Sequence, residues 1–194
     1  MATGLRPGLW GLCLLRASLP FPHCAVIHVE HVHVAIDGTP ILRDVSFEVE
    51  TGSVAGYVGP NGAGKTTTLR LLPGALAADA GRVVVGGVDV ARDPVEAKRQ
   101  FGYVPEHGHV YESFTPNEYL AFIGRMHRLP EDQIRQRTEA HLAFWELSDA
   151  ADRSMVGFSK GMKQKVLVSA ALLLDPPVLL LDEPRGGLDA HAEA

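Results

Sequence analysis

Eight consecutive residues early in the chain could bind phosphate. They fit the pattern G-x-x-x-x-G-K-[ST] of a phosphate-binding loop, and they are Gly59, Pro60, Asn61, Gly62, Ala63, Gly64, Lys65 and Thr66. Glycines let the backbone turn so that successive N–H groups, here those from Gly62 to Thr67, point inward at a triphosphate. We predict that Lys65 neutralises phosphate oxygens and that the Thr66 hydroxyl is a ligand of the accompanying Mg²⁺.

A second set of chemically capable residues follows an apolar run near the end of the chain. Residues 178–181 are all Val or Leu, which is typical of a strand buried on both faces of a parallel sheet. Asp182 and Glu183 come directly after it. Two adjacent carboxylates at the C-terminal end of a central strand are costly unless they serve a cation or accept a proton. The pattern therefore favours one of these two roles.

The elements that must position these residues can be predicted from the same sequence. Residues 53–58 form an apolar strand before the loop, and residues 67–72 begin a helix that Pro73 ends early. Ser159 stands at the N-cap position of a long apolar helix that reaches Leu174. The two carboxylates follow the strand after that helix.

Hairpins and a helical lobe account for most of the remaining chain. Residues 26–49 alternate as two antiparallel strands about Asp37-Gly38, and residues 82–85 and 88–90 as two more about Gly86-Gly87. An apolar strand ends at Pro105, and residues 116–152 are helical, with a second helix near 134–147. Five apolar residues with helical spacing are predicted to pack in this lobe: Tyr119, Leu120, Phe122, Ile123 and Met126.

Composition excludes several classes of function. The chain has 194 residues, a net charge of -5, a pI of about 6.0 and no basic block, so we expect no nucleic acid partner. No apolar run reaches bilayer-spanning length, so we expect no membrane insertion of its own. His28, His31 and His33 lack the carboxylate or cysteine spacing of a metal site. The two cysteines both lie before residue 26, which argues against a disulfide framework.

The first 25 residues differ from the rest, with no acidic residue and three prolines. We interpret residues 1–25 as an extension outside the fold, either an upstream start or a targeting segment. Residues 26–194 are then one domain, incomplete at its C-terminus, with a helical subdomain at about 107–157.

In this order, the motifs resemble those of the ATP-binding subunit of ATP-binding cassette (ABC) transporters, from about Ile27 onward. Residues 59–66 match Walker A, residues 178–183 match Walker B, residues 187–189 match the D-loop, and Glu106 stands in the Q-loop region. After Phe158, four residues are similar to the signature L-S-G-G-Q, in a variant of exporter-type (ABC-2 type) subunits: Ser159, Lys160, Gly161 and Met162. The signature is the most specific motif, because other phosphate-loop ATPases lack it.

The resemblance implies an α/β fold: a P-loop NTPase core with a central, mainly parallel sheet, an N-terminal antiparallel β subdomain and an inserted helical subdomain. It implies a head-to-tail dimer, a homodimer or a paired cassette, with MgATP between Walker A, including Thr67, and the partner's signature. Asp182 and Glu106 would hold Mg²⁺ with Thr66. Glu183 would activate water, with Glu106 also at the catalytic centre. Asp189 would contact the partner chain.

The same resemblance implies coupling to a membrane-spanning permease through the helical lobe and the region around Glu106. The subunit would then be cytoplasmic and peripheral on the inner face of the plasma membrane. The permease, and not this chain, would select the transported substrate.

Four features depart from the family pattern. Ile36 stands where an adenine-stacking aromatic is usual, Glu106 replaces glutamine, Arg185 precedes the D-loop, and the chain ends at Ala194, before the family's switch histidine. Two hypotheses stay open: an ATP-hydrolysing motor subunit, or a nucleotide-binding module that does not turn over. An ABC-type ATPase of DNA repair or translation is a third option, although no second cassette or basic face supports it.

Overall fold

A computed structural model describes residues 13–18, 25–106 and 108–182, with the side chains of 26–106 and 108–182. The described residues up to Lys98 form one compact unit, and those from Arg99 onward form another. Glu183, Arg185 and Asp189, for which the sequence predicts roles, lie outside the described residues.

An antiparallel sheet of four strands makes up most of the first unit. Its strand order is β3-β2-β5-β6, and the strands are β2 (Ala25–Ile36), β3 (Thr39–Glu50), β5 (Ala80–Val85) and β6 (Val88–Asp89). Positive φ angles at Asp37 and Gly38, 50° and 75°, close the β2–β3 hairpin, and those at Gly86 and Gly87 close the β5–β6 hairpin. Both predicted hairpins are therefore confirmed.

A bulge in β2 keeps the apolar face of this sheet directed into the core. Val29 and Val32 are both buried although they are three positions apart, because the register shifts between them and His31 adopts a φ of 47°. The His31 ring is hydrogen-bonded to Asp44 at 2.6 Å, and this contact raises the pKa of His31. The described residues contain no group of three or more His, Cys, Asp or Glu side chains that could hold a metal.

The phosphate loop follows another strand of the first unit, β4 (Ser53–Val58), and leads into helix α1 (Lys65–Leu71). Strand β1 (Cys13–Ser18) pairs antiparallel with β4, so six residues of the segment predicted to lie outside the fold pair with it. The domain boundaries themselves stay predictions. A short helix, α2 (Pro94–Arg99), was not predicted.

The second unit combines a parallel strand pair with three helices. The strands β7 (Phe101–Val104) and β8 (Val178–Leu181) run parallel with Val104 opposite Leu181. The helices are α3 (Pro116–Met126), α4 (Glu131–Phe144) and α5 (Lys160–Leu172). Thr115 and Glu118 cap the start of α3 reciprocally. Leu120, Leu142, Met155, Val166 and Leu173 are among the residues of the core between these helices.

Two expectations about burial in this unit were wrong. Met126 is 64% exposed and Phe122 36% exposed, because both lie on the side of α3 away from the buried Leu120. Phe122 nevertheless packs against the rings of Tyr111 and Phe114, so the packing prediction is wrong for Met126 alone. Leu179 and Leu181 are 36% and 38% exposed, so only the face of β8 with Val178 and Leu180 is buried. An apolar run alone does not specify what covers each face of a strand.

Among the described residues, no helix combines the length and the apolar character that crossing a lipid bilayer would need. The longest, α4, has 14 residues.

Candidate functional site

The phosphate loop owes its shape to two glycines with left-handed backbone conformations. Gly62 has a φ of 81° and Gly64 a φ of 85°, which other residue types adopt only at a cost. Between them, the Ala63 N–H donates to the Pro60 carbonyl at 3.2 Å. The chain thereby turns back on itself between β4 and α1, as the motif predicts.

Gly64 meets a second requirement, because another part of the chain lies against it. A Cβ at Gly64 would approach Leu42 Cδ2 to 2.6 Å, whereas a Cβ at Gly62 would meet nothing within 4 Å. Leu42 is itself only 3% exposed, so it has little room to withdraw. The second glycine of the loop is therefore fixed both by backbone conformation and by packing against β3.

Lys65, the first residue of α1, bends back over the loop. Its ammonium group donates to the Gly59 carbonyl at 2.8 Å and to the Pro60 carbonyl at 3.0 Å. These bonds hold the positive charge beside the loop backbone, where a phosphate group would have to lie to meet the loop amides.

The start of α1 carries further donors. The first hydrogen bond of the helix runs from the Thr68 N–H to the Gly64 carbonyl at 2.9 Å, so the N–H groups of Lys65, Thr66 and Thr67 have no partner within the helix. The Thr66 side chain is exposed, so its hydroxyl is accessible to a metal ion at the loop. These donors, together with the Lys65 ammonium, fit the phosphates of MgATP.

Thr68 is a supporting residue that sequence reasoning missed. It is 1% exposed, and its hydroxyl donates to the Gly64 carbonyl at 3.0 Å. The Tyr57 hydroxyl lies 3.1 Å from the Thr68 hydroxyl oxygen, and because Thr68 already donates to Gly64, Tyr57 is the donor in that contact. Strand β4 and helix α1 are tied together directly beneath the loop. The motif pattern contains no signal for this pair.

The signature residues stand at the start of α5 in the second unit. Ser159 is the N-cap, as predicted, and its hydroxyl oxygen accepts from the Met162 N–H at 3.2 Å. The Ser159 carbonyl accepts from the Lys163 N–H at 3.0 Å. Lys160 is exposed, Gly161 and Met162 are half-buried, and the preceding Phe158 is buried and anchors the turn.

Asp182 and Glu106 lie at the same edge of the β7–β8 pair. Because the two strands are parallel, their C-terminal ends share one edge. Asp182 directly follows β8, and its N–H donates to the Val104 carbonyl at 2.9 Å, which extends the ladder by one bond. Asp182 is 8% exposed, whereas Glu106 is exposed. Two oxygen-bearing side chains at one strand edge fit a hard cation such as Mg²⁺.

The predicted site residues are thus divided between the two units. The phosphate-binding residues, 59–67, belong to the first unit, and Ser159, Asp182 and Glu106 belong to the second. Ile36, at the position where a base-stacking aromatic is usual in the family, is 44% exposed at the end of β2.

Comparisons with known proteins agree on one family. The family described as ABC transporter matches residues 42–186. The ABC transporter ATP-binding protein NatA of Bacillus subtilis is 41% identical over 76% of this chain and 61% of its own length. Daunorubicin resistance ATP-binding protein DrrA2 of Streptomyces coeruleorubidus is 40% identical over 78% of this chain and 47% of its own length. The chain thus spans about half to three fifths of these curated relatives.

Solved structures support the same conclusion. A structure described as the ATP-binding subunit of an ABC transporter superposes with a TM-score of 0.76 at 33% identity, over 86% of this chain and 70% of that one. CbiO1 from Clostridium perfringens, described as part of the ABC transporter complex cbiONQ, gives a TM-score of 0.73 at 26% identity, over 85% of this chain and 68% of that one. The expected P-loop NTPase fold is confirmed, and the chain belongs to the ABC transporter family, in which it is similar to the ATP-binding subunits.

Proposed function

We propose that this chain binds MgATP at residues 59–67 and hydrolyses it to power a membrane-spanning permease. The observation that carries the proposal is the loop geometry: Gly62 and Gly64 turn the backbone, and the Lys65 ammonium lies across the turn. Amides that precede the first helical hydrogen bond supply neutral donors, and Lys65 supplies the charge.

Oxygen ligands are also proposed for the metal ion that accompanies the nucleotide. The Thr66 hydroxyl and the Asp182 carboxylate would hold Mg²⁺, with Glu106 as a further oxygen ligand, and the bound ion would neutralise phosphate charge. Glu183, next to Asp182 in sequence, would orient and deprotonate the attacking water, a role that contributes about 10² to 10⁴ in rate.

A second copy of the chain, or a paired cassette, would supply the signature. The Ser159 oxygen accepts a hydrogen bond from the Met162 N–H, and therefore its own O–H proton stays available for a phosphate oxygen of the partner's nucleotide. Lys160, Gly161 and Met162 would lie against the same nucleotide at the start of α5. Asp189 would contact the partner chain in this head-to-tail dimer.

Two exposed aromatic side chains of the second unit offer a contact for the permease. Tyr111 is 58% exposed and Phe122 36% exposed, and the two rings meet edge to face with centroids 5.8 Å apart. Such a patch on a water-soluble surface is typical of an interaction site. The chain would then work at the inner face of the plasma membrane. A relative named for Nod factor export, 34% identical to this chain, favours export as the direction of transport.

The decisive experiment measures MgATP turnover per chain as protein concentration rises. Glu183→Gln serves as the blank, and Glu139→Gln, at an exposed position of α4, serves as the matched control. Turnover that rises with concentration and disappears only in Glu183→Gln supports hydrolysis in a composite dimer site. Glu183→Gln should retain ATP binding and form a stable ATP-bound dimer on a sizing column.

Bound ATP without turnover at any concentration would contradict the proposal and favour a binding module that does not hydrolyse. Turnover per chain that is independent of concentration would contradict the dimer.

A further inference from the structure

Glu112 connects two parts of the second unit that its position in the sequence would not bring together. Its carboxylate accepts a hydrogen bond from the Lys163 ammonium at 2.7 Å, and its carbonyl accepts one from the Ser154 hydroxyl at 3.0 Å. Ser154 precedes the signature and Lys163 follows it. One residue between β7 and α3 therefore contacts the chain on both sides of Ser159.

Lys163, the partner of Glu112, lies in the first turn of α5, directly after the signature residues. The backbone N–H of Lys163 donates to the Ser159 carbonyl at 3.0 Å, and the N–H of its neighbour Met162 donates to the Ser159 hydroxyl oxygen. A displacement of the Lys163 side chain therefore acts on the same turn that orients Ser159.

The ion pair is partly withdrawn from solvent on the lysine side only. The Lys163 side chain is 24% exposed and that of Glu112 52% exposed. Exposed pairs of this kind contribute little to the free energy of unfolding, so its expected effect is on orientation and less on stability.

Glu112 also lies within the segment that carries the exposed aromatic patch. Its neighbour Tyr111 contacts Phe114 with ring centroids 5.6 Å apart, and the Phe114 carbonyl accepts from the Met155 N–H at 3.0 Å. Tyr111 and Phe114, the two ends of this segment, each contact the Phe122 ring. Glu112, between them, contacts Ser154 and Lys163 on either side of the signature.

We propose that Glu112 is a positioning residue for the signature: through Lys163 it sets the first turn of α5 and the direction of Ser159. A partner that presses on Tyr111 and Phe122 would move Ser159 through the same ion pair. This inference rests on the proposed function, because it assigns Glu112 a role in that hydrolysis. Loss of the pair should lower kcat in the dimer and leave nucleotide binding to the phosphate loop unchanged.

The test compares Glu112→Gln with Glu131→Gln in the full chain. Glu131 forms an ion pair with Arg125 of α3, and not with a lysine of α5, at 2.6 and 2.9 Å, and is therefore the matched control. We expect kcat to fall about tenfold in Glu112→Gln and less than twofold in the control. The Kd for a fluorescent ATP analogue and the urea midpoint should stay within error of the wild type in both variants.

Exchanging the charges of Glu112 and Lys163 distinguishes a positioning role of the ion pair from a general loss of structure caused by the substitution. Glu112→Lys combined with Lys163→Glu should recover kcat to within about threefold of the wild type, whereas each single reversal should lower it further than Glu112→Gln. Equal kcat in Glu112→Gln and Glu131→Gln overturns the inference alone, as does a double variant no better than the single reversals. A wild-type chain without turnover overturns the proposed function, and the inference with it.

Discussion

The phosphate loop and the signature both present the start of a helix, yet they are built by different means. Gly64 caps α1 through its backbone alone, in a left-handed conformation and with no side-chain hydrogen bond. Ser159 caps α5 in an extended conformation, with its hydroxyl oxygen bound to the Met162 N–H. The loop therefore depends on the absence of a side chain and the signature on the presence of one. Substitutions that add atoms should harm the first, and those that remove atoms should harm the second.

Removing the one cation of the loop should have the largest effect. Lys65→Ala should raise the Kd for ATP by about a hundredfold or more, since each charge-assisted hydrogen bond contributes about 1.5–3 kcal/mol. Equilibrium dialysis would measure it. Lys98→Ala, an exposed lysine of the same unit, is the control. Equal affinity in Lys65→Ala and wild type would refute the phosphate-loop assignment.

The two positive-φ glycines of the loop can be compared directly. Gly62→Ala should destabilise by about 1–2 kcal/mol, the cost of a left-handed alanine. Gly64→Ala should cost about 2–4 kcal/mol, because overpacking against Leu42 adds to that strain. Urea unfolding would measure both. In a Leu42→Ala background, the difference between the costs of Gly62→Ala and Gly64→Ala should be smaller. Equal costs of the two glycine variants in the wild-type background would mean that the contact with Leu42 does not contribute.

Removing atoms from the signature should have a smaller effect on stability. Ser159→Ala should destabilise by about 1 kcal/mol through loss of the cap, and Ser159→Thr should retain most of it. Turnover should fall in Ser159→Ala and be recovered in part by Ser159→Thr. If the two variants unfold at the same urea concentration, the cap is not what orders this turn.

The smallest expected effect is on the pH dependence of the urea midpoint, in which an ion pair of the first unit should differ from one of the second. The hydrogen bond from the His31 ring to the Asp44 carboxylate raises the pKa of His31 above its ordinary value, so the contact stabilises the fold while His31 is protonated. That contribution is fully present below about pH 6.5 and is lost as the pH rises through the folded-state pKa. Asp44→Asn should remove this pH dependence of the urea midpoint.

The matching pair in the second unit should respond differently. Arg125 and Glu131 both stay charged between pH 5.5 and 8, and their contact lowers the pKa of Glu131. Glu131→Gln should therefore leave the pH dependence of the urea midpoint in this range as it is in the wild type. If Glu131→Gln changes the pH dependence of the urea midpoint as much as Asp44→Asn does, the distinction is contradicted.

Local features of the fold were predictable from the sequence. Asp37-Gly38, Pro73 and Ser159 each set the conformation of their own short stretch of chain, and each acts in the structure as predicted. Residues 53–58 form a strand with the predicted bounds. The predicted ends of the helices were less accurate. Helix α4 begins at Glu131 and ends at Phe144, each three residues before the predicted bound. The predicted start is the buried Ile134, because periodicity marks buried residues and not the first turn.

Features that depend on distant parts of the chain were not predictable. The close approach of Leu42 to Gly64, the Tyr57–Thr68 contact and the Glu112–Lys163 pair each join separate elements. Nothing in the spacing of these residues indicates the contact. The capping box of α3 is different, since Thr115 and Glu118 have the spacing of that motif and could have been recognised.

The two carbonyl contacts of Lys65 have a consequence for which ligands the loop accepts. To leave Gly59 and Pro60, the ammonium group must exchange two good acceptors for others of at least equal strength. A ligand with oxygens on two successive phosphates offers both replacements at once, whereas a monophosphate offers them on one group only and a nucleoside offers none. Lys65 would therefore discriminate by the number of acceptors within its reach, before the base or the sugar makes any contact.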